Sequence, residues 1–220
     1  FLHNMTNSLY KYDFIYTFIC SCMMYSNTLN AGLLYDDETG VVRNPCVVDK
    51  RYTIYDVFRS DFWGYPLHMA ASHKSYRPIT TLSFRIQVQY INGDEKNSDT
   101  VDVNETHVVP NSRRLHLVNI LLFATVSACF CSLVHAMFPS PRYNTRDKNA
   151  IRLAILLFIA HPVHTEAVAN IVGRCELLSA LFMLLSFSTY IKYISNGFYV
   201  VDYNSGLKEK TPSENNCFKK

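Results

Sequence analysis

The sequence is poor in charge and in chain-breaking residues. Charged side chains make up 18% of its 220 residues, below the roughly one quarter usual in soluble domains. With only 7 glycines and 8 prolines, there is no stretch that could serve as a flexible or proline-rich linker, and no internal repeat is visible. The net charge of +3 is small, and no cluster of Lys and Arg interleaved with aromatics is present; a nucleic-acid partner is therefore not expected. The seven cysteines are odd in number and contain no CxxC pair. Cys20, Cys22, Cys129 and Cys131 lie within apolar runs and read as small hydrophobes. Cys46 and Cys175 are the two expected to meet an oxidising compartment, and nothing in their spacing pairs them.

What fills the sequence instead is long uncharged runs. Phe14 to Tyr35 carries no charged residue and is long enough to cross a bilayer of roughly 30 Å at about 1.5 Å per residue. Its polar middle, SNTLN, is expected to face protein. Leu115 to Phe138 is a second uncharged run and the clearest span; Leu177 to Ile191 is a third, which Lys192 can extend by snorkelling. LAILLFIA (153–160) spans only if its helix continues through the motif HPVHTE that follows. Spans over about 14–35, 115–138, 150–168 and 177–194 are the self-consistent set. Arg142, Arg146, Lys148 and Arg152 between the second and third, and Lys208, Lys210, Lys219 and Lys220 after the fourth, put those segments in the cytosol by the positive-inside rule. Residues 1–13 then form a cytosolic stub and 195–220 a cytosolic tail. Residues 36–114 become one large lumenal loop, in which Asn104-Glu-Thr106 is a glycosylation sequon. The first apolar stretch is too long for a signal-peptide core and lacks a cleavage site, so it is expected to stay. The chain, starting at Phe1, is expected to be part of a longer protein.

One loop segment is ambiguous. Residues 82–90, LSFRIQVQY, alternate apolar and polar as a strand does, which periodicity slightly favours. Ile79, Leu82, Ile86 and Tyr90 also make a helical stripe behind Pro78, which suits a first helical turn.

Several motifs carry chemistry. Asp36 and Asp37 sit just past the first span, where a carboxylate in a partly dry cleft acquires a raised pKa suited to a general base, and adjacent acids raise each other further. The plain alternative is a solvated acidic helix end. Lys74, Arg77 and Arg85 are cations among aromatics, matched to phosphate oxygens or to lipid headgroups at a membrane surface. Trp63 and Tyr65 read as interfacial anchors first and a sugar-stacking platform second. His161, His164 and Glu166 invite a metal, but His-x-x-His-x-Glu does not put three ligands on one helical face and Pro162 interrupts it, so no metal site is expected. A second wall of an active site, with Arg174 near a phosphate, is the preferred reading; a hydrogen-bonded helix hairpin is the alternative.

LLYDDETGVVRNP (33–45), DFWG (61–64), SHKSYRPITTLSFR (72–85), LHLVNILLF (115–123) and HPVHTEAVANIVGRCELLSALF (161–182), in that order, resemble the transmembrane O-mannosyltransferase-targeting-cadherins (TMTC) family over residues 30–190. The loop YINGDEKNSDTVDVNETHVVPNSRR is longer and more acidic than that pattern, and GRCE departs from it after the arginine. The resemblance implies an all-α membrane protein, a partial GT-C-type glycosyltransferase bundle of about four transmembrane helices with one large lumenal loop, in the endoplasmic reticulum. It also implies a helix at 78–90. Its implied activity is transfer of mannose from dolichyl phosphate mannose, a lipid-linked donor and not a cofactor, to Ser or Thr of protein acceptors such as cadherin domains. Asp36 and Asp37 would be catalytic; Lys74, Arg77, Arg85, His161, His164, Glu166 and Arg174 would bind substrate. A non-catalytic membrane scaffold acting through a repeat domain is the alternative from a different class.

Overall fold

A computed structural model describes residues 8–91, 110–137 and 145–194. Nine α-helices are found among the described residues, and no strand. Four of them form a bundle: α1 (Ser8–Met24), α6 (Ser112–Met137), α7 (Thr145–Ala160) and α9 (Arg174–Tyr193). Five short ones, α2 (Tyr35–Asp37), α3 (Pro45–Val48), α4 (Ile54–Val57), α5 (Pro78–Ile86) and α8 (His164–Ala169), lie in a loop layer at one end.

In the bundle the apolar periodicity decides what packs. Ile151, Ile155 and Ile159 recur every fourth residue on α7 and bury against Cys131 and Val134 of α6. Leu153, Leu156 and Leu157 on the other face stay exposed, as do Phe182, Met183 and Phe187 of α9. Exposed apolar faces of this size suit lipid or further protein. A second apolar cluster joins Tyr25, Ile120, Phe123, Val168 and Leu177 nearer the loop layer. Thr17 and Ser21 of α1 hydrogen-bond the carbonyls of Asp13 and Thr17, four residues back, so their hydroxyls are satisfied inside the helix.

Two stretches, Ser112–Met137 and Ile171–Tyr193, are helical, long and apolar enough to cross a membrane. The other two expected spans differ from expectation. Helix α1 ends at Met24, and SNTLN becomes a 3-10 turn (Ser26–Asn30) in which only Thr28 is buried. Helix α7 stops at Ala160, where Pro162 and the turn at 161–163 interrupt the ladder before α8, so it does not run on to 168.

The loop layer is helical where periodicity leaned toward a strand: α5 covers Pro78–Ile86 and continues as a π-helical turn over Gln87–Ile91. The predicted apolar stripe does not face inward, however. Ile79, Ile86 and Tyr90 are exposed, while Thr80, Thr81, Phe84, Arg85 and Val88 are buried. The reason is Arg85, whose guanidinium donates to the carbonyls of Cys46, Asp49 and Tyr52 and draws its face of the helix into the layer.

Short elements of three to nine residues cannot hold themselves together, and buried polar side chains join them. Asn44 caps α3 through the Cys46 amide (2.9 Å) and donates to the carbonyls of Gly40 (3.2 Å) and Phe62 (2.9 Å). Asp61 accepts from the amides of Trp63, Tyr65 and His73 and from the Ser72 hydroxyl at 2.7–3.0 Å. Burial pushes its carboxyl upward, but these hydrogen bonds prevail and hold it below the usual carboxylate range. Gly64 sits at φ +89°, where a Cβ would strike Asn44 Oδ1 at 2.6 Å; only glycine suits that turn.

Candidate functional site

The adjacent acids take opposite environments. Asp36 is exposed, whereas Asp37 is fully buried. The Asp37 carboxylate accepts the amide of Leu34 (3.0 Å) and the amide of Val172 (3.0 Å), and so ties the start of the loop layer to the 3-10 turn Ile171–Gly173 that precedes α9. Its pKa is raised, chiefly by burial, and the hydrogen bonds and the nearby His116 only partly offset this. Burial, then, rather than a neighbouring carboxylate, is the leading cause of the shift.

The four expected cations are used differently. Arg77 is exposed; its guanidinium lies 3.3 Å from Cys175 Sγ and 5.2 Å from the centre of the Phe62 ring. Lys74, in a left-handed backbone conformation (φ 62°), caps the carbonyls of Leu67 and Met69. Arg85 is spent on the three carbonyls named above. Arg174 is fully buried: Nε donates to Asn119 Oδ1 (2.9 Å), Nη2 to the Leu115 carbonyl (3.2 Å), and the guanidinium stacks 4.2 Å from the Phe84 ring centre. Its partners are therefore α6 and α5, and the expected meeting of two free guanidinium groups is reduced to one, Arg77, with the other beneath it.

An open cleft of about 700 Å³ runs between residues 76–80 and α9. Tyr76, Arg77, Thr80, Glu176 and Ser179 give its lining polar groups, and Ile79, Leu178, Phe182 and Met183 apolar ones. Asp37 accepts the Val172 amide in the turn and Arg77 meets Cys175 Sγ at the start of α9, three residues on, so the two Cα atoms are at most about 11 Å apart. The turn is the element that gathers the site.

His161, His164 and Glu166 do not gather. His161 and Glu166 are exposed, His161 Nδ1 accepts the Val163 amide (3.2 Å), and the His164 ring lies against Phe158 (4.6 Å) and Phe123 (5.1 Å). Among the described residues no three His, Cys, Asp or Glu side chains come close enough to share an ion. Arg174 is held by Asn119, not by these three. Trp63 packs edge-on against Phe62 and is half-buried; Tyr65 is exposed. Cys46 and Cys175 are both free thiols. Asn104 lies outside the described residues.

Sequence reading passed over three buried polar residues, two at this end and one at the other. Asn119 and His116 are both buried in α6; their signal was a polar side chain inside an otherwise apolar span. At the far end Asp13 joins α1 to His135 of α6 (3.3 Å) and to Arg152 of α7 (3.1 Å); its signal was a lone acid beside a span.

Among the described residues the architecture is helical, with two membrane-length helices and a loop layer at one end that holds Asp36, Asp37 and Arg77. The chain is 37% identical over 177 residues to protein O-mannosyl-transferase tmtc2 of Xenopus laevis, covering 80% of this chain and 18% of that protein. It is 36% identical over 174 residues to the human protein O-mannosyl-transferase TMTC4 (76% and 21%) and 34% over 177 residues to mouse TMTC1 (80% and 16%). The chain belongs to the TMTC family, and spans about a fifth of the length of these relatives. No family model matches it, and no solved structure does.

Proposed function

We propose that this chain is the N-terminal part of a protein O-mannosyltransferase of the endoplasmic reticulum membrane, with a GT-C-type bundle and four crossings. Its donor is dolichyl phosphate mannose, and its acceptors are Ser or Thr hydroxyls of cadherin-like domains. The observation that carries the reading is that buried Asp37, next to exposed Asp36, and exposed Arg77 meet residues only three apart, Val172 in the turn and Cys175 at the start of α9.

Asp36 is the general base. Its carboxylate takes the proton of the acceptor hydroxyl as that oxygen attacks the anomeric carbon of mannose. The bond from that carbon to the phosphate oxygen breaks, and the lipid phosphate leaves with the electron pair. Arg77 faces that phosphate, and the apolar lining of the cleft takes the adjoining hydrocarbon. Asp37 is a positioning residue: buried with both oxygens occupied, it fixes α2 on the turn and so aims Asp36. The outward stripe of α5 (Ile79, Ile86, Tyr90) lies in the membrane surface.

In the full-length protein, Asp36→Asn should cut mannose transfer at least a hundredfold with expression and insertion unchanged. Arg77→Ala should raise the donor KM or lower turnover by roughly ten- to a hundredfold, since a charge-assisted contact contributes about 1.5–3 kcal/mol. Chelators should have little effect. Undiminished transfer by the Asp36→Asn/Asp37→Asn double variant would remove these acids as base, and absence of transfer by the unaltered full-length protein would leave the scaffold. For the topology, Asn104 should acquire an endoglycosidase-sensitive glycan in microsomes; protease protection of residues 139–149 from the outside would overturn it.

A further inference from the structure

The 170–174 turn is gripped from two sides. From the loop layer, Asp37 accepts the Val172 amide (3.0 Å). From α6, the Asn119 amide donates to the carbonyls of both Asn170 and Ile171 at 3.1 Å, while its oxygen accepts Nε of Arg174 at 2.9 Å. One fully buried side chain therefore meets the turn at three residues, two at its start and one at its end. Arg174 carries the grip onward to the Leu115 carbonyl and the Phe84 ring. The space allows no slack: a Cβ on Gly173 would lie 2.6 Å from the Ala167 carbonyl oxygen.

We infer that Asn119 and Arg174 form a clamp that sets the position of this turn, and that both are positioning residues for the mannosyl transfer proposed above, on which the catalytic half of the inference rests. The turn holds Asp37 through Val172 and runs directly into Cys175 of α9, which Arg77 meets, so a shift of the turn moves Asp36 relative to Arg77. Misplacing reacting groups by about 1 Å costs on the order of a hundredfold in rate. The atoms of Asn119 divide the work. Its oxygen serves Arg174, and its amide hydrogens serve the turn; aspartate at this position keeps the first and loses the second.

The test uses the full-length protein in microsomes, with turnover expressed per folded, monodisperse enzyme. Asn119→Ala and Asn119→Asp should each lower kcat roughly thirtyfold or more with the donor KM within about twofold. Asn119→Asp should lose less thermal stability than Asn119→Ala, because an ion pair with Arg174 offsets part of the lost carbonyl contacts, so equal loss of turnover in the two would not follow stability. Arg174→Lys, which keeps the charge and loses the fork, should fall between these and the unaltered enzyme. Normal kcat in Asn119→Asp, or a loss in every variant that tracks the melting temperature, would make the network merely structural and overturn the inference. A second readout needs no activity: maleimide labelling of Cys175, followed by mass spectrometry. It should accelerate at least tenfold in both Asn119 variants, and unchanged labelling would overturn the clamp. If the unaltered protein transfers no mannose while labelling still accelerates, the clamp stands and the enzyme reading falls.

Discussion

The bundle and the loop layer solve the same problem by different means. The bundle has long helices whose backbone is satisfied internally, so apolar side chains repeating every three or four residues suffice to assemble it. The loop layer has helices of three to nine residues and much backbone outside any helix. There Asn44, Asp61, Arg85 and Gln89 take up carbonyls and amides from segments up to 42 residues away. Arg85 and Arg174 show the consequence: a cation in such a layer is drawn to carbonyl oxygens before it can serve a ligand. The polar residue free to meet a substrate is the one the scaffold does not need.

The largest effect that would sharpen this contrast is at Arg85. Arg85→Leu should cost the loop layer about 3–5 kcal/mol, since three buried carbonyls lose their donor. Thermal unfolding in detergent should drop steeply, whereas Leu156→Ala on the exposed face of α7 should leave it unchanged in detergent. Next comes an apolar deletion in the bundle: Ile155→Ala should cost about 2–4 kcal/mol by cavity formation, measured the same way, and mannose transfer per folded enzyme should not change.

A pH series separates Asp37 from Asp61, two of the buried acids of the loop layer. Asp61 has a lowered pKa when folded, so its contribution is present above the unfolded carboxylate pKa and lost as pH falls through the folded one. Asp61→Asn should therefore cost about 2 kcal/mol at neutral pH, and the gap from the unaltered protein should close on acidification. Asp37 has a raised pKa, which reverses the sign: its titration favours the fold below the unfolded pKa, and that advantage is lost as pH rises through the folded value. Asp37→Asn should remove this loss, so its penalty should be greater in acid than at neutral pH. Parallel pH curves for the two variants would break the distinction. The smallest effect belongs to the exposed Arg43–Glu38 pair (3.0 Å), where Arg43→Ala should change stability by less than about 0.5 kcal/mol.

The legible parts of the sequence were those where one local rule dominates. Leu115 to Phe138 reads as a helix because it is a long uncharged run with few polar residues, and α6 follows. Residues 78–90 obeyed two periodicities at once, and the family resemblance rather than the pattern pointed to the helix. Even then the stripe of Ile79 and Ile86 was no guide to the buried face, because Arg85 has partners far away in the chain. Asp36 and Asp37 were indistinguishable as neighbours of like chemistry. The role of Asn119 was invisible for the same reason: its three partners lie 51–55 residues on.

By itself, then, the sequence determined the helical character, two membrane-length segments and the family. Those follow from composition, local periodicity and ordered motifs, which act over a few residues at a time. The tertiary structure alone decided that Asp37 is buried and Asp36 open, that Arg77 lines the cleft while Arg174 lies beneath it, and that Asn119 holds the turn between them. Burial and hydrogen-bond partnership depend on which distant backbone groups are brought to a side chain, and only the folded chain brings them there.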